Sequence, residues 1–232
     1  MSENIYTQGA YLEHNPTWHI EDSPWKARHI IEILRRNKIR PRTVVEIGSG
    51  AGEILRQLQL SLDAEAQLVG YEVSPQAIAL SQARANQALR FVQGDFLSAS
   101  TEYFDLVLMI DLIEHLEDYL GFLRAVRPRG EYKLLHIPLD LSVQTVLRME
   151  PILRVRRQVG HLHYFTKELA LQALCDSGYT IIDHCYTASM NDLGPRTLRH
   201  RLASLPRRLL YSVHRDLAVR LLGGYSLLVL AR

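Results

Sequence analysis

Residues 44–53 read Val44-Val45-Glu46-Ile47-Gly48-Ser49-Gly50-Ala51-Gly52-Glu53, and a helix-forming run from Glu53 to Leu60 follows at once. The apolar, β-branched run predicts a strand, and the glycines at every second position predict a tight turn into a helix N-terminus. Without Cβ atoms in the way, bare backbone there can approach a ligand closely.

The flanking sequence repeats this alternation. Leu68-Val69-Gly70-Tyr71-Glu72 predicts a second strand ending in an acid, 20 residues after Gly52, where a carboxylate can accept both ribose hydroxyls of an adenosine. Ser74-Pro75 caps and opens the next helix. Arg90-Phe91-Val92-Gln93-Gly94-Asp95-Phe96 predicts a third strand, and Phe104-Asp105-Leu106-Val107-Leu108-Met109-Ile110-Asp111 a fourth. The fourth is almost wholly apolar, as a parallel strand covered on both faces should be. Two turns follow, Asp111-Leu112-Ile113-Glu114-His115-Leu116 and Arg127-Pro128-Arg129-Gly130.

Taken in order over residues 43–138, these motifs resemble those of S-adenosylmethionine-dependent methyltransferases with a Rossmann-like fold, of the bacterial small-molecule type. A nicotinamide-binding turn has its third glycine where this chain has Glu53, which speaks against an oxidoreductase. The resemblance implies an α/β fold, a doubly wound seven-stranded mostly parallel sheet. Its last strand, Tyr225 to Ala231, would run antiparallel between strands five and six. It also implies S-adenosyl-L-methionine as cofactor, held by Gly48, Gly50, Gly52, Glu72 and Asp95. Asp95 would accept from the adenine amine, with Phe96 beside the ring. Glu46 would pin the glycine-loop amides and meet the cofactor's ammonium through water, and Asp111 joins the same set. The segment from Tyr11 to Lys26, with Trp18 and His19, resembles the family's lid, in which Lys26 would meet the cofactor carboxylate.

Size and composition agree with one domain spanning 1–232, with 1–37 as lid and first helix. The chain is 47% hydrophobic and 22% charged, and its net charge of +2 gives no global signal for nucleic acid or membrane. No apolar run reaches the ~18 residues of a bilayer span, and no secretory leader is visible, so a cytoplasmic protein is expected. Cys175 and Cys185 are too few for a disulfide framework and are expected as small apolar groups near strand six.

Two segments exceed the short connections such a fold needs. Residues 139–165 hold four arginines against Asp140 and Glu150, and residues 187–223 hold seven against Asp192 and Asp216. Both approach the carboxyl edge of the sheet and are expected to cover the substrate. They read either as a solvated helical face, with Leu198, Leu202, Leu205, Leu209 and Leu210 packed inward, or as a basic cradle for an anionic substrate or membrane surface.

Methyl transfer to a hydroxyl needs a placed nucleophile and a proton acceptor. His115 is the leading candidate, with Glu114 and His161 as companions. Asp111, Glu114, His115 and His161 also resemble by position the metal-holding residues of small-RNA 2′-O-methyltransferases. Asp111 is one methylene short of the glutamate found there, and no metal is expected. The expected function is methyl transfer to a hydroxyl, less readily an amine, of a small molecule or a lipid- or sugar-linked anionic one. The alternatives are a metal-assisted ribose 2′-O-methyltransferase or a cofactor-binding partner subunit without turnover. Nucleic-acid base methylation is not expected, because Asp111-Leu112-Ile113-Glu114 contains neither the Pro-Pro-aromatic element nor a nucleophilic cysteine.

Overall fold

The computed structural model describes residue 18 and residues 20–193 and 198–232, without the side chains of 190, 191 and 198–204. Tyr11, His19 and Arg196, and the side chains of Leu198, Arg199, Arg201 and Leu202, therefore lie outside the described residues.

The strands are Thr43–Ile47 (β1), Gln67–Glu72 (β2), Leu89–Gln93 (β3), Phe104–Ile110 (β4), Gly130–Pro138 (β5), Ile181–Thr187 (β6) and Ser226–Ala231 (β7). They form one sheet in the order β3-β2-β1-β4-β5-β7-β6. Only β7 runs against its neighbours, pairing antiparallel with both β5 and β6, as the family resemblance implies.

The helices are Ser23–Arg36 (α1), Glu53–Gln59 (α2), Pro75–Gln82 (α3), Phe96–Ala99 (α4), Tyr119–Val126 (α5), Val143–Arg148 (α6), Glu150–Gln158 (α7), Lys167–Asp176 (α8), Ser189–Asp192 (α9), Leu198–Val213 (α10) and Arg215–Leu222 (α11). Strand alternation divides the core between the two faces of the sheet. Val44, Leu68, Leu106 and Leu134 meet α1, α2 and α3 through Ile30, Leu34, Leu55 and Ile78. Val45, Val69, Val107 and Leu135 face the other way, onto Phe96, Leu123, Leu174 and Val219. Burying each such side chain contributes about 1.5–3 kcal/mol, so this double covering is what holds the parallel strands.

Three local expectations change. Ser23-Pro24 in the sequence predicts a cap at Ser23, but the cap of α1 is Asp22, which makes no side-chain capping bond. Cys175 is exposed on α8, while Cys185 is half-buried in β6. Leu205 and Leu209 face solvent, and of the five leucines expected to pack inward, Leu210 alone among those with described side chains does so. The segments 139–165 and 187–223 carry α6, α7 and α9 to α11, and α11 packs on both α6 and α10. Among the described residues no helix is long and apolar enough to cross a membrane.

Candidate active site

The strand order reverses between β1 and β4, and a ligand crevice is expected beyond the carboxyl ends of strands at such a switch point. A cavity of about 320 Å³ lies there, bordered by the glycine turn, Glu72, Asp95, Asp111 and His115. All three turn glycines have positive φ. At Gly52 (φ +78°) a Cβ would also fall 2.4 Å from Phe91 Cζ, so glycine is required twice over. Trp18 lies over the turn, its ring 3.7 Å from where a Cβ on Gly50 would stand.

Glu72, at the end of β2, accepts from Gly50 N and Ser74 N, both at 2.9 Å. The amide-pinning role expected of Glu46 therefore belongs to Glu72. Glu46 is buried, and its Oε2 has no partner among the described residues. Burial pushes the Glu46 carboxyl well above the ordinary range; Lys26 opposes that shift, and Glu72 and Asp111 add to it. Asp95 caps α4, accepting from Leu97 N and Ser98 N. Phe96 borders the cavity, but its ring is buried against Tyr71 and Phe104, so it serves as floor rather than as an open face.

Lys26 reaches the cavity from α1 and pairs with Asp111 Oδ2 at 2.8 Å and Asp22 Oδ2 at 3.1 Å. Asp111 has φ +50° and bonds His136 Nδ1 at 2.5 Å, and His136 Nε2 lies 2.8 Å from Thr187 Oγ1. Burial works against the charged form of Asp111, but His136 and Lys26 outweigh it and hold the carboxyl well below the usual range.

A second cluster stands beside the first. Glu114, His115 and His161 each bring a donor atom to within 4.8 Å of the others, and Asp111 does not belong to the group. The His115 and His161 rings meet edge to face at 4.9 Å. His161 Nδ1 is held by Asp140 Oδ2 at 2.6 Å. Glu114 is fully buried, and neither of its carboxyl oxygens has a hydrogen-bond partner among the described residues. Burial, then the neighbouring His161, lowers His115 to about 4, so its imidazole is neutral at ordinary pH.

The family model described as a methyltransferase domain matches residues 45–129, the stretch from the glycine turn to the start of β5. That stretch is a match to a methyltransferase domain, set in a Rossmann-like fold. A ubiquinone biosynthesis O-methyltransferase of Cereibacter sphaeroides (strain ATCC 17029 / ATH 2.4.9) is 32% identical over 89 residues, 36% of this chain and 35% of that protein. The chain thus spans about a third of the length of the curated relatives it matches. Among solved structures, the plantazolicin methyltransferase in complex with a monoazolic desmethylPZN analog and SAH superposes with a TM-score of 0.65 at 16% identity, over 99% of this chain and 92% of that one. The magnesium protoporphyrin IX methyltransferase of Synechocystis PCC 6803, with bound SAH, gives 0.61 at 16% identity, over 90% and 82%. At such identities the likeness is one of fold.

Sequence reasoning missed His136, Asp140 and Thr187. All three lie at or just past the carboxyl ends of β5 and β6. That position, at the ligand edge of the sheet, was the available signal. His163, by contrast, is spent locally, with Nε2 on Leu116 O at 2.8 Å.

Proposed function

We propose that this chain transfers a methyl group from S-adenosyl-L-methionine to a hydroxyl, less readily an amine, of a small molecule or a lipid- or sugar-linked one. The observation that carries the reading is a shared cavity: the glycine turn, Glu72, Asp95 and His115 all line it. The residues fit the cofactor. Bare backbone at Gly48 and Gly50 can lie against it, Glu72 can take the ribose hydroxyls, and the unpartnered Glu46 oxygen can receive the ammonium through water. When bound, the cofactor supplies an electrophilic methyl on a sulfonium. The chain's own task is to orient the acceptor and remove its proton; we assign that to neutral His115, a reading supported by its contact with His161, which Asp140 holds in turn.

One observation favours a second reading. Glu114 is buried beside two imidazoles with neither oxygen hydrogen-bonded among the described residues, a donor set of the kind that holds a divalent cation. Such an ion would lower the pKa of the acceptor hydroxyl directly. Calorimetry with the cofactor and its demethylated product tests the first step, and turnover on hydroxyl, amine and ribose panels tests the second. No cofactor binding would sink the proposal. Binding without turnover on any panel would leave a cofactor-binding subunit.

A further inference from the structure

The arginine-rich helices outside the matched methyltransferase stretch show more than charge. On α6, Val143, Val146 and Leu147 are all exposed, and their spacing puts them on one face of the helix. On α10, Leu205, Leu209 and Val213 are exposed at intervals of four, while Leu210 and Tyr211 on its other side pack on the core. Leu147 is 81% exposed, Val213 78% and Leu209 67%, so these are aliphatic tips in water rather than edges of a core. Helix α11 packs on both α6 and α10, so the two stripes belong to one connected set of helices. Exposed aliphatic side chains grouped in this way mark a contact site.

Charge identifies what it contacts. Segments 139–165 and 187–223 together hold eleven arginines against four acids, a net +7, in a chain whose total is +2. The remainder of the molecule therefore carries −5, and the positive charge is concentrated in the two segments that carry the apolar stripes. Arg148, Arg154 and Arg156 are exposed and make no ion pair among the described residues. A second copy of the same surface would bring like charges together. A nucleic-acid backbone would pair with the arginines but has no use for protruding leucine and valine. Aliphatic tips among arginines on surface helices suit the headgroup boundary of an anionic bilayer, where the tips enter the acyl edge and the guanidiniums meet lipid phosphates.

We propose that α6, α7, α10 and α11 form a peripheral docking face for an anionic membrane. The segment that carries α6 and α7 also supplies Asp140 and His161 to the candidate site. Docking through it would bring a bilayer-resident acceptor to the carboxyl edge of the sheet. The docking itself is independent of the reaction, and only the lipid-anchored nature of the substrate rests on the proposed methyl transfer.

Vesicle sedimentation of the full chain tests this, using phosphatidylcholine alone and phosphatidylcholine mixed with phosphatidylglycerol. Binding should require the anionic lipid and weaken with salt. The triple variant Leu147→Ser, Leu209→Ser, Val213→Ser should lose about tenfold or more in vesicle affinity with cofactor binding unchanged. Arg148→Gln, Arg154→Gln, Arg156→Gln should weaken binding and flatten its salt dependence. Cofactor calorimetry on every variant confirms that it is folded. No binding to either vesicle, equal binding to both, or full binding by the triple variant would overturn the proposal. So would self-association abolished by the triple variant, which would make the face an interface between copies. RNA binding that resists the aliphatic changes but not the arginine ones would likewise reassign it.

Discussion

Asp111 Oδ1 lies 2.5 Å from His136 Nδ1, and this bond turns Asp111 away from Glu114, His115 and His161, with which its sequence spacing had grouped it. The left-handed backbone at Asp111 (φ +50°), uncommon for a residue other than glycine, accompanies that turn. His136 in turn contacts Thr187, so strands four, five and six are tied together at their carboxyl ends, and Lys26 ties in α1. His136→Ala should cost about 2 kcal/mol, because it leaves the Thr187 hydroxyl and one Asp111 oxygen without their partner. Denaturant unfolding measures the loss, and a variant as stable as wild type would show the relay to be idle.

The cofactor face yields a prediction on affinity. Glu72 holds Gly50 N and Ser74 N and also lines the cavity. Glu72→Ala should weaken S-adenosyl-L-methionine by about 2 kcal/mol, typical of a charge-assisted hydrogen bond, in calorimetry. Wild-type affinity in that variant would remove Glu72 from the cofactor site.

The fold was legible because its signals are local. Gly48, Gly50 and Gly52 specify a turn, and the acids at the ends of β2 and β3 follow at fixed spacing. The antiparallel placement of β7 was legible only through the family resemblance, since nothing in Ser226–Ala231 names its neighbours. The candidate site was legible in part. Glu114 and His115 share one short turn, but the partnership of Asp140 with His161 spans 21 residues and depends on how the insertion folds back. The separation of Asp111 from its group depends on His136, on another strand, which no periodicity reveals.

Glu46 makes cofactor binding a proton-linked event. Burial keeps its carboxyl protonated well above the usual carboxylate range, and a bound ammonium nearby would favour the charged form. Binding should then release a proton, so affinity should rise with pH until free Glu46 is itself ionised. Calorimetry in two buffers of different ionisation enthalpy counts the proton. Glu46→Gln should abolish the release, and a wild-type count of zero would place the ammonium elsewhere.

His115 sets a stability slope. Its folded value of about 4, lowered by burial and by His161 from 6.5, means that the unfolded chain binds the extra proton between those limits. Stability should therefore fall as pH drops from 6.5 to 4, by about 3 kcal/mol in all at ~1.4 kcal/mol per unit. Glu114, raised by burial, acts in the opposite sense, losing its contribution as pH rises. Comparing wild type with His115→Asn isolates the imidazole. Parallel stability curves for the two would mean that His115 titrates normally.

The two readings of the histidine cluster separate by chelation. If His115 is the general base, His115→Ala should lower turnover by about 10²–10⁴-fold with cofactor affinity kept, and a chelator should have no effect. A base held near 4 is a weak acceptor, so the acid limb of kcat/KM should fall near that pH and the preferred acceptor should be an acidic hydroxyl, such as a phenol. If Glu114, His115 and His161 hold an ion, a chelator should abolish turnover, a divalent cation should restore it, and His161→Ala should harm activity nearly as much as His115→Ala. Asp140 enters both cases differently. It fixes the His161 tautomer by accepting from Nδ1, which leaves Nε2 for an ion or for His115. Asp140→Asn should therefore cut metal affinity about 10–100-fold in the second case. In the first it should change turnover without changing any metal content. A stoichiometric ion in protein purified without chelator or metal-affinity tag, lost in His161→Ala, would replace the general base with the metal.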